Sequence, residues 1–178
     1  MATHVVLLRG INVGPAKRVP MAELRALIEA LGYANARTLL NSGNALFDAP
    51  GVPAEEAAER IERGVLERVG VSARVLVVPA ATLAEAVAAN PLVGLAGDPS
   101  RLFVGFLWPD ARLDRLQRVT EREWSPEALA LGQHAVYVWV PEGFSRSPLM
   151  EAVNRALGDG VTMRNWATTL KLLELARG

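Results

Sequence analysis

The sequence predicts an α+β fold made of two consecutive ferredoxin-like βαββαβ units with a C-terminal helix. Three observations carry this. Short apolar runs rich in strand formers alternate with stretches whose apolar residues recur at helical spacing. The order strand, helix, strand, strand, helix, strand can be traced twice along the chain. Proline and glycine concentrate between the two passages, at Pro79, Pro91, Gly94, Gly97 and Pro99. The units are therefore expected at residues 1–79 and 101–178, with a connecting helix and linker over 80–100. The repeat lies in element order, not in residue identity, and its main rival is a single mixed sheet.

Val5 to Leu8 is apolar at every position, as a central strand covered on both faces would be. Gly10 to Lys17 reads as a loop punctuated by Gly10, Gly14 and Pro15. Pro20 then opens a helix whose apolar positions are Met21, Leu24, Leu27, Ile28 and Leu31, with Gly32 as its stop. Arg37 to Leu40 and Ala45 to Phe47 form a hairpin across Asn41-Ser42-Gly43-Asn44. A helix from Pro53 to Val69 carries Ala57, Ile61, Val65 and Val69 in phase, and Ser72 to Val78 closes the first unit.

Ala81 to Ala89 is the connecting helix, ended by Asn90-Pro91. The second unit follows: a strand from Leu102 to Trp108, a short helix from Leu113 to Val119, and a hairpin of Glu127 to Leu131 with Ala135 to Val140. Ser147 caps a helix that starts at Pro148 and runs to Leu157. Val161 to Asn165 is the last strand, and Thr168 to Ala176 the terminal helix, with Thr168 or Thr169 as its cap.

Composition narrows the function classes. The chain has 178 residues, 51% of them hydrophobic and 21% charged, which is globular rather than disordered. Nineteen Lys and Arg balance nineteen Asp and Glu, and that neutrality argues against a general nucleic-acid binder. With no Cys and only His4 and His134, thiolate chemistry, disulfides and multi-histidine metal centres are excluded. No metal or cofactor is expected. The apolar run after Met1 lacks a basic flank and ends at Arg9, so it is read as neither a signal peptide nor a span. A cytoplasmic protein with no membrane partner is the expectation, its oligomeric state open.

Topology singles out one candidate site. In a βαββαβ unit the first two strands run parallel, so the end of the first strand and the turn after the second share one edge of the sheet. That places Arg9, Gly10, Asn12, Gly14, Lys17 and Arg18 beside Asn41, Ser42, Gly43 and Asn44, with the start of the first helix facing them. Glycine-freed backbone N–H groups, a helix N-terminus and cations together favour an anion. Arg9, Asn12, Lys17, Asn41, Ser42 and Asn44 are the candidate ligand-binding residues here, although turns select Asn, Ser and Gly on their own account. The glycine spacing fits neither a P-loop nor a dinucleotide fingerprint.

A second cluster, Thr162-Met163-Arg164-Asn165-Trp166-Ala167-Thr168-Thr169 and Lys171, sits where a strand gives way to a helix. Arg164, Asn165 and Lys171 are its candidate anion ligands: Arg164 is expected partly open in a concavity if the cluster binds a ligand, and buried against an Asp or Glu if it is structural. Trp166 is read as a seam plug. Trp108, Tyr137 and Trp139 lie on strands, where they serve a core, a dimer contact or a base-stacking platform. The acidic and basic residues from Glu55 to Arg68 form a solvated helix face. No Ser-His-Asp arrangement is visible.

Leu8-Arg9-Gly10-Ile11-Asn12-Val13-Gly14, Val19-Pro20-Met21-Ala22-Glu23-Leu24-Arg25, Asn41-Ser42-Gly43-Asn44 and Thr162-Met163-Arg164-Asn165-Trp166-Ala167-Thr168 resemble the bacterial domain-of-unknown-function family 1697. The resemblance runs from about residue 3 to the C-terminus, with Pro15 where the family has glycine. It implies a small stand-alone α+β protein and supplies no catalytic residues. The functional expectation is thus a small anionic or phosphorylated ligand at the end of the first sheet. The alternatives are a protein-interaction or homodimerisation module and a single-stranded nucleic-acid binder. Whether the protein is an enzyme stays open at this stage.

Overall fold

A computed structural model describes residues 2–95 and 97–178. They divide into two compact units: residues up to 83 together with 172–178, and residues 84–171.

The first unit runs β1 (Thr3–Arg9), α1 (Met21–Ala30), β2 (Ala34–Leu39), β3 (Asn44–Asp48), α2 (Ala54–Val69) and β4 (Arg74–Pro79). Its strands order as β2-β3-β1-β4, and each adjacent pair is antiparallel. This is the ferredoxin-like arrangement. One face of the sheet (Val6 and Leu8 of β1, Ala45 and Phe47 of β3, Val75 and Val77 of β4) packs with Leu24, Ile28, Ile61 and Val65 of the two helices. The alternate residues Val5, Leu7 and Leu46 are also fully buried, which accounts for the unbroken apolar run of β1.

Sequence chemistry sets the helix ends. Pro20 precedes α1, where its missing N–H is no loss, and Gly70 ends α2 in the left-handed conformation with its N–H donated to the Leu66 carbonyl. Gly64 lets the helices meet: a Cβ there would lie 2.4 Å from Leu27 Cδ1. β2 starts with a register shift between Ala34 and Arg37, a bulge that keeps an edge strand from pairing further. The Arg37 guanidinium donates to the carbonyls of Asn35 and Leu175, tying the end of the terminal helix to this edge.

The second unit repeats the topology. It contains α3 (Ala80–Ala88, its first half in the first unit), β5 (Leu102–Leu107), α4 (Gln117–Thr120), β6 (Ala128–Leu131), β7 (Ala135–Trp139), α5 (Pro148–Leu157), β8 (Val161–Asn165) and the start of α6 (Trp166–Arg177). The strand order is β6-β7-β5-β8, all antiparallel. The helix expected over 113–119 is a 3-10 turn, Leu113–Leu116, running into the single turn of α4. Only Leu116 and Val119 are buried there, too narrow an apolar stripe to hold a longer helix. Ser147 caps α5 as expected, its Oγ accepting from Met150 N at 2.8 Å. The Glu127 carboxylate accepts from Ser147 Oγ and from Leu149 N, so this helix start already holds an anion.

Candidate functional site

The rim at the C-terminal end of β1 is built by two loops and a helix start. Leu7 of β1 pairs with Asn44 of β3, and Leu8 N donates to the Gly43 carbonyl at 2.9 Å. The turn after β2 is thereby fixed beside the loop after β1. Gly43 has φ +85°, and a Cβ on it would stand 2.9 Å from both Ile11 Cδ1 and Leu8 Cβ. Only glycine meets both demands.

Asn12 organises the loop. It sits at φ 54°, where Asn is tolerated because its short amide bonds locally. Its backbone N donates to the Lys17 carbonyl at 3.0 Å, closing a ring of six residues. Its Nδ2 donates to the carbonyls of Val19 (3.0 Å) and Asn41 (2.5 Å), and its Oδ1 accepts from Val19 N (2.9 Å). The amide thus behaves as an inserted peptide unit, holding the loop to the start of α1 and to the β2–β3 turn.

An open concavity of about 610 Å³ results, lined by Asn12, Gly14, Pro15, Arg18, Val19, Pro20 and Asn41. Arg18 is exposed on its wall. At the head of α1, the backbone N–H groups of Met21 and Ala22 find no acceptor among the described residues, and no side chain caps the helix. The two loops carry no acid: none occurs from residue 10 to 22 or from 38 to 47. The concavity thus carries one cation, Arg18, and reaches Pro20, directly before the unfilled N–H groups at the positive end of α1.

Of the residues picked from sequence, Arg9, Asn12, Lys17, Asn41, Ser42 and Asn44 all lie at this end of the sheet. Their exposure differs. Lys17, Asn41 and Ser42 are exposed, Arg9 and Asn12 partly so. Asn44 is a correction: it is fully buried, with Nδ2 donating to the Leu39 carbonyl and to Ser42 Oγ, so it shapes the turn from inside.

The second cluster is corrected more deeply. Arg164 does not open into a concavity. It is 8% exposed, its Nη1 donates to Thr162 Oγ1 at 2.8 Å and to the Met163 carbonyl at 2.9 Å, and burial pushes the guanidinium down to about 10. Asn165, not Thr168 or Thr169, caps α6: its Oδ1 accepts from Thr168 N at 2.8 Å. Thr169 Oγ1 instead bonds back to the Asn165 carbonyl. Trp166 is buried, and Lys171 is exposed.

On the face that would stack bases in an RNA-binding module of this fold, the second unit leaves Trp139 partly exposed but covers Tyr137. Tyr137 is 1% exposed and its hydroxyl donates to the Ala86 carbonyl at 2.6 Å. His4 lies between the carbonyls of Ala2 and Val52, and His134 pairs with Glu85. Among the described residues no group of three or more metal-ligating side chains forms, and no helix is long and apolar enough to cross a membrane. The start of α1, already counted among the anion-favouring features from the sequence, has no side-chain cap, as Pro20 with no Ser, Thr, Asp or Asn directly before it allows.

A family model described as a protein of unknown function (DUF1697) matches residues 1–137, a span that contains the rim and stops short of Arg164. A solved structure, that of a conserved bacterial protein from Streptococcus pneumoniae, is similar over 98% of both chains, with a TM-score of 0.79 and 22% identity. At that identity the likeness shows a shared fold. No curated protein matches the sequence.

Proposed function

The chain belongs to the DUF1697 family, and from that membership, which assigns no reaction, together with the rim geometry, we propose that the protein binds a small anionic or phosphorylated ligand at the end of its first sheet. One observation carries the reading: Arg18 lines a concavity that extends to Pro20, at the uncapped head of α1, and whose two loops contain no acid. Helix starts with free donors attract anions, and a nearby guanidinium adds a charge-assisted partner. Asn12 supports the ligand indirectly by holding both loops in place.

Thermal unfolding with inorganic phosphate and pyrophosphate tests this. An anion present at tenfold its dissociation constant stabilises the native state by about 1.4 kcal/mol. Arg18→Ala should lose that response while its own stability stays within about 0.5 kcal/mol of the parent, as for other exposed positions. Absence of a response in the parent protein, or a response undiminished in Arg18→Ala, removes the rim as an anion site.

A further inference from the structure

Two apolar side chains on the rim are hard to explain within the isolated chain. Val13 is 77% exposed, the most exposed of the large apolar side chains among the described residues. Leu40 is 53% exposed and sits at φ 58°. The left-handed conformation is costly for a residue with a Cβ, and turns fill such positions with Gly, Asn or Asp. A leucine that is both strained and solvated gains nothing from burial in return. The two residues belong to one surface, because Asn12 Nδ2 donates to the Asn41 carbonyl and so joins the immediate neighbours of both. Neither Val13 nor Leu40 lines the concavity next to them. They stand on the loops that carry exposed Lys17 and Arg18 and no acid.

We propose that this rim docks on an anionic phospholipid surface, with Val13 and Leu40 entering the acyl boundary while Lys17 and Arg18 meet the headgroups. The inference rests on the anion reading above and names the source of the anion as a lipid phosphate. Charge complementarity selects the partner: a neutral protein has gathered uncompensated cations around two apolar tips. A bilayer accepts aliphatic tips on loops without a matching pocket, and each nearby cation strengthens attachment to anionic headgroups.

The test is co-sedimentation of the full chain with phosphatidylcholine vesicles made with and without phosphatidylglycerol. The parent protein should sediment with the mixed vesicles, less so at high salt, and stay in solution with pure phosphatidylcholine. Lys17→Gln and Arg18→Gln should each weaken binding about fivefold. Leu40→Asn is the informative variant. Asn suits the left-handed conformation, so unfolding should move to higher temperature while vesicle binding falls about tenfold through loss of the apolar contact. Equal binding to both vesicle types, no binding to either, or undiminished binding by Leu40→Asn overturns the proposal. A protein stabilised by inorganic phosphate that ignores mixed vesicles would refute the lipid source and leave the small-anion site standing. Loss of both responses would refute both.

Discussion

Replacing Asn12 by Ala puts the largest demand on the reasoning about the rim. The substitution removes two donated and one accepted hydrogen bond. Val19 is fully buried, and its N–H, now without Oδ1, is left unsatisfied at a cost of about 1–3 kcal/mol. Alanine must also hold φ 54°, which adds about 1 kcal/mol over asparagine. The expected loss is therefore about 2–4 kcal/mol. Asn12→Gly separates the two contributions, because it loses the same hydrogen bonds without the backbone strain and should be the milder change by about 1 kcal/mol. Urea unfolding should be followed by far-ultraviolet circular dichroism. Tryptophan fluorescence would mislead: Trp108, Trp124, Trp139 and Trp166 all lie in the 84–171 unit, whereas Asn12 belongs to the other. The phosphate response should disappear in both variants. An Asn12→Ala midpoint within about 0.5 kcal/mol of the parent would refute the view that this amide holds the rim together.

Two further outcomes concern other parts of the chain. Asp48 accepts from Asn35 Nδ2 and Thr3 Oγ1, and these hydrogen bonds hold its carboxyl below the ordinary value of 3.8. Its folded value being depressed, its contribution to stability is complete above that ordinary value and is lost as pH falls through the folded one. Melting temperature should consequently drop less steeply below about pH 4 in Asp48→Asn than in the parent, and parallel curves would contradict the assignment. Arg164→Ala should destabilise the second unit by about 2–5 kcal/mol, from the cavity and from acceptors left without their donor. Tryptophan fluorescence in urea is the right probe there, and a change under about 0.5 kcal/mol would return Arg164 to the candidate ligand residues.

Most of the fold was legible because its signals are local and repeated. The proline at the head of α1, the glycine after α2, the Asn-Ser-Gly-Asn turn and the Ser147-Pro148 start of α5 each act within a few residues. The meeting of the two rim loops also followed from connectivity alone. What did not follow was the orientation of individual polar side chains. Asn12 and Asn44 look alike in sequence, yet one lines the concavity while the other is sealed beneath the turn. Arg164 follows the same pattern, since it donates to Thr162 Oγ1 and to the Met163 carbonyl, uncharged acceptors that a search for a carboxylate partner does not pick out. The short helix expected over 113–119 is there, but its division into a 3-10 turn and one α-turn is not written in the spacing of its apolar residues. The left-handed backbone of Lys17 and Leu40 had no signal at all, as neither residue type favours it.

The grouping of residues 172–178 with the first unit bears on how the protein is made. Synthesis delivers all four strands and both helices of that unit before the second unit, and residues 172–178 after it. While the intervening residues are being added, Arg37 stands at the β2 edge without the Leu175 carbonyl that it meets in the finished protein. The bulge at Ala34 to Arg37 already discourages that edge from recruiting another strand, which suits an edge that must wait. The second unit differs: its strands β5 to β8 and its Ser147 cap all come from one continuous stretch, residues 84–171. The half made first thus takes one of its segments from beyond the whole of the other half, and it reaches its full set of partners only after that half has been synthesised.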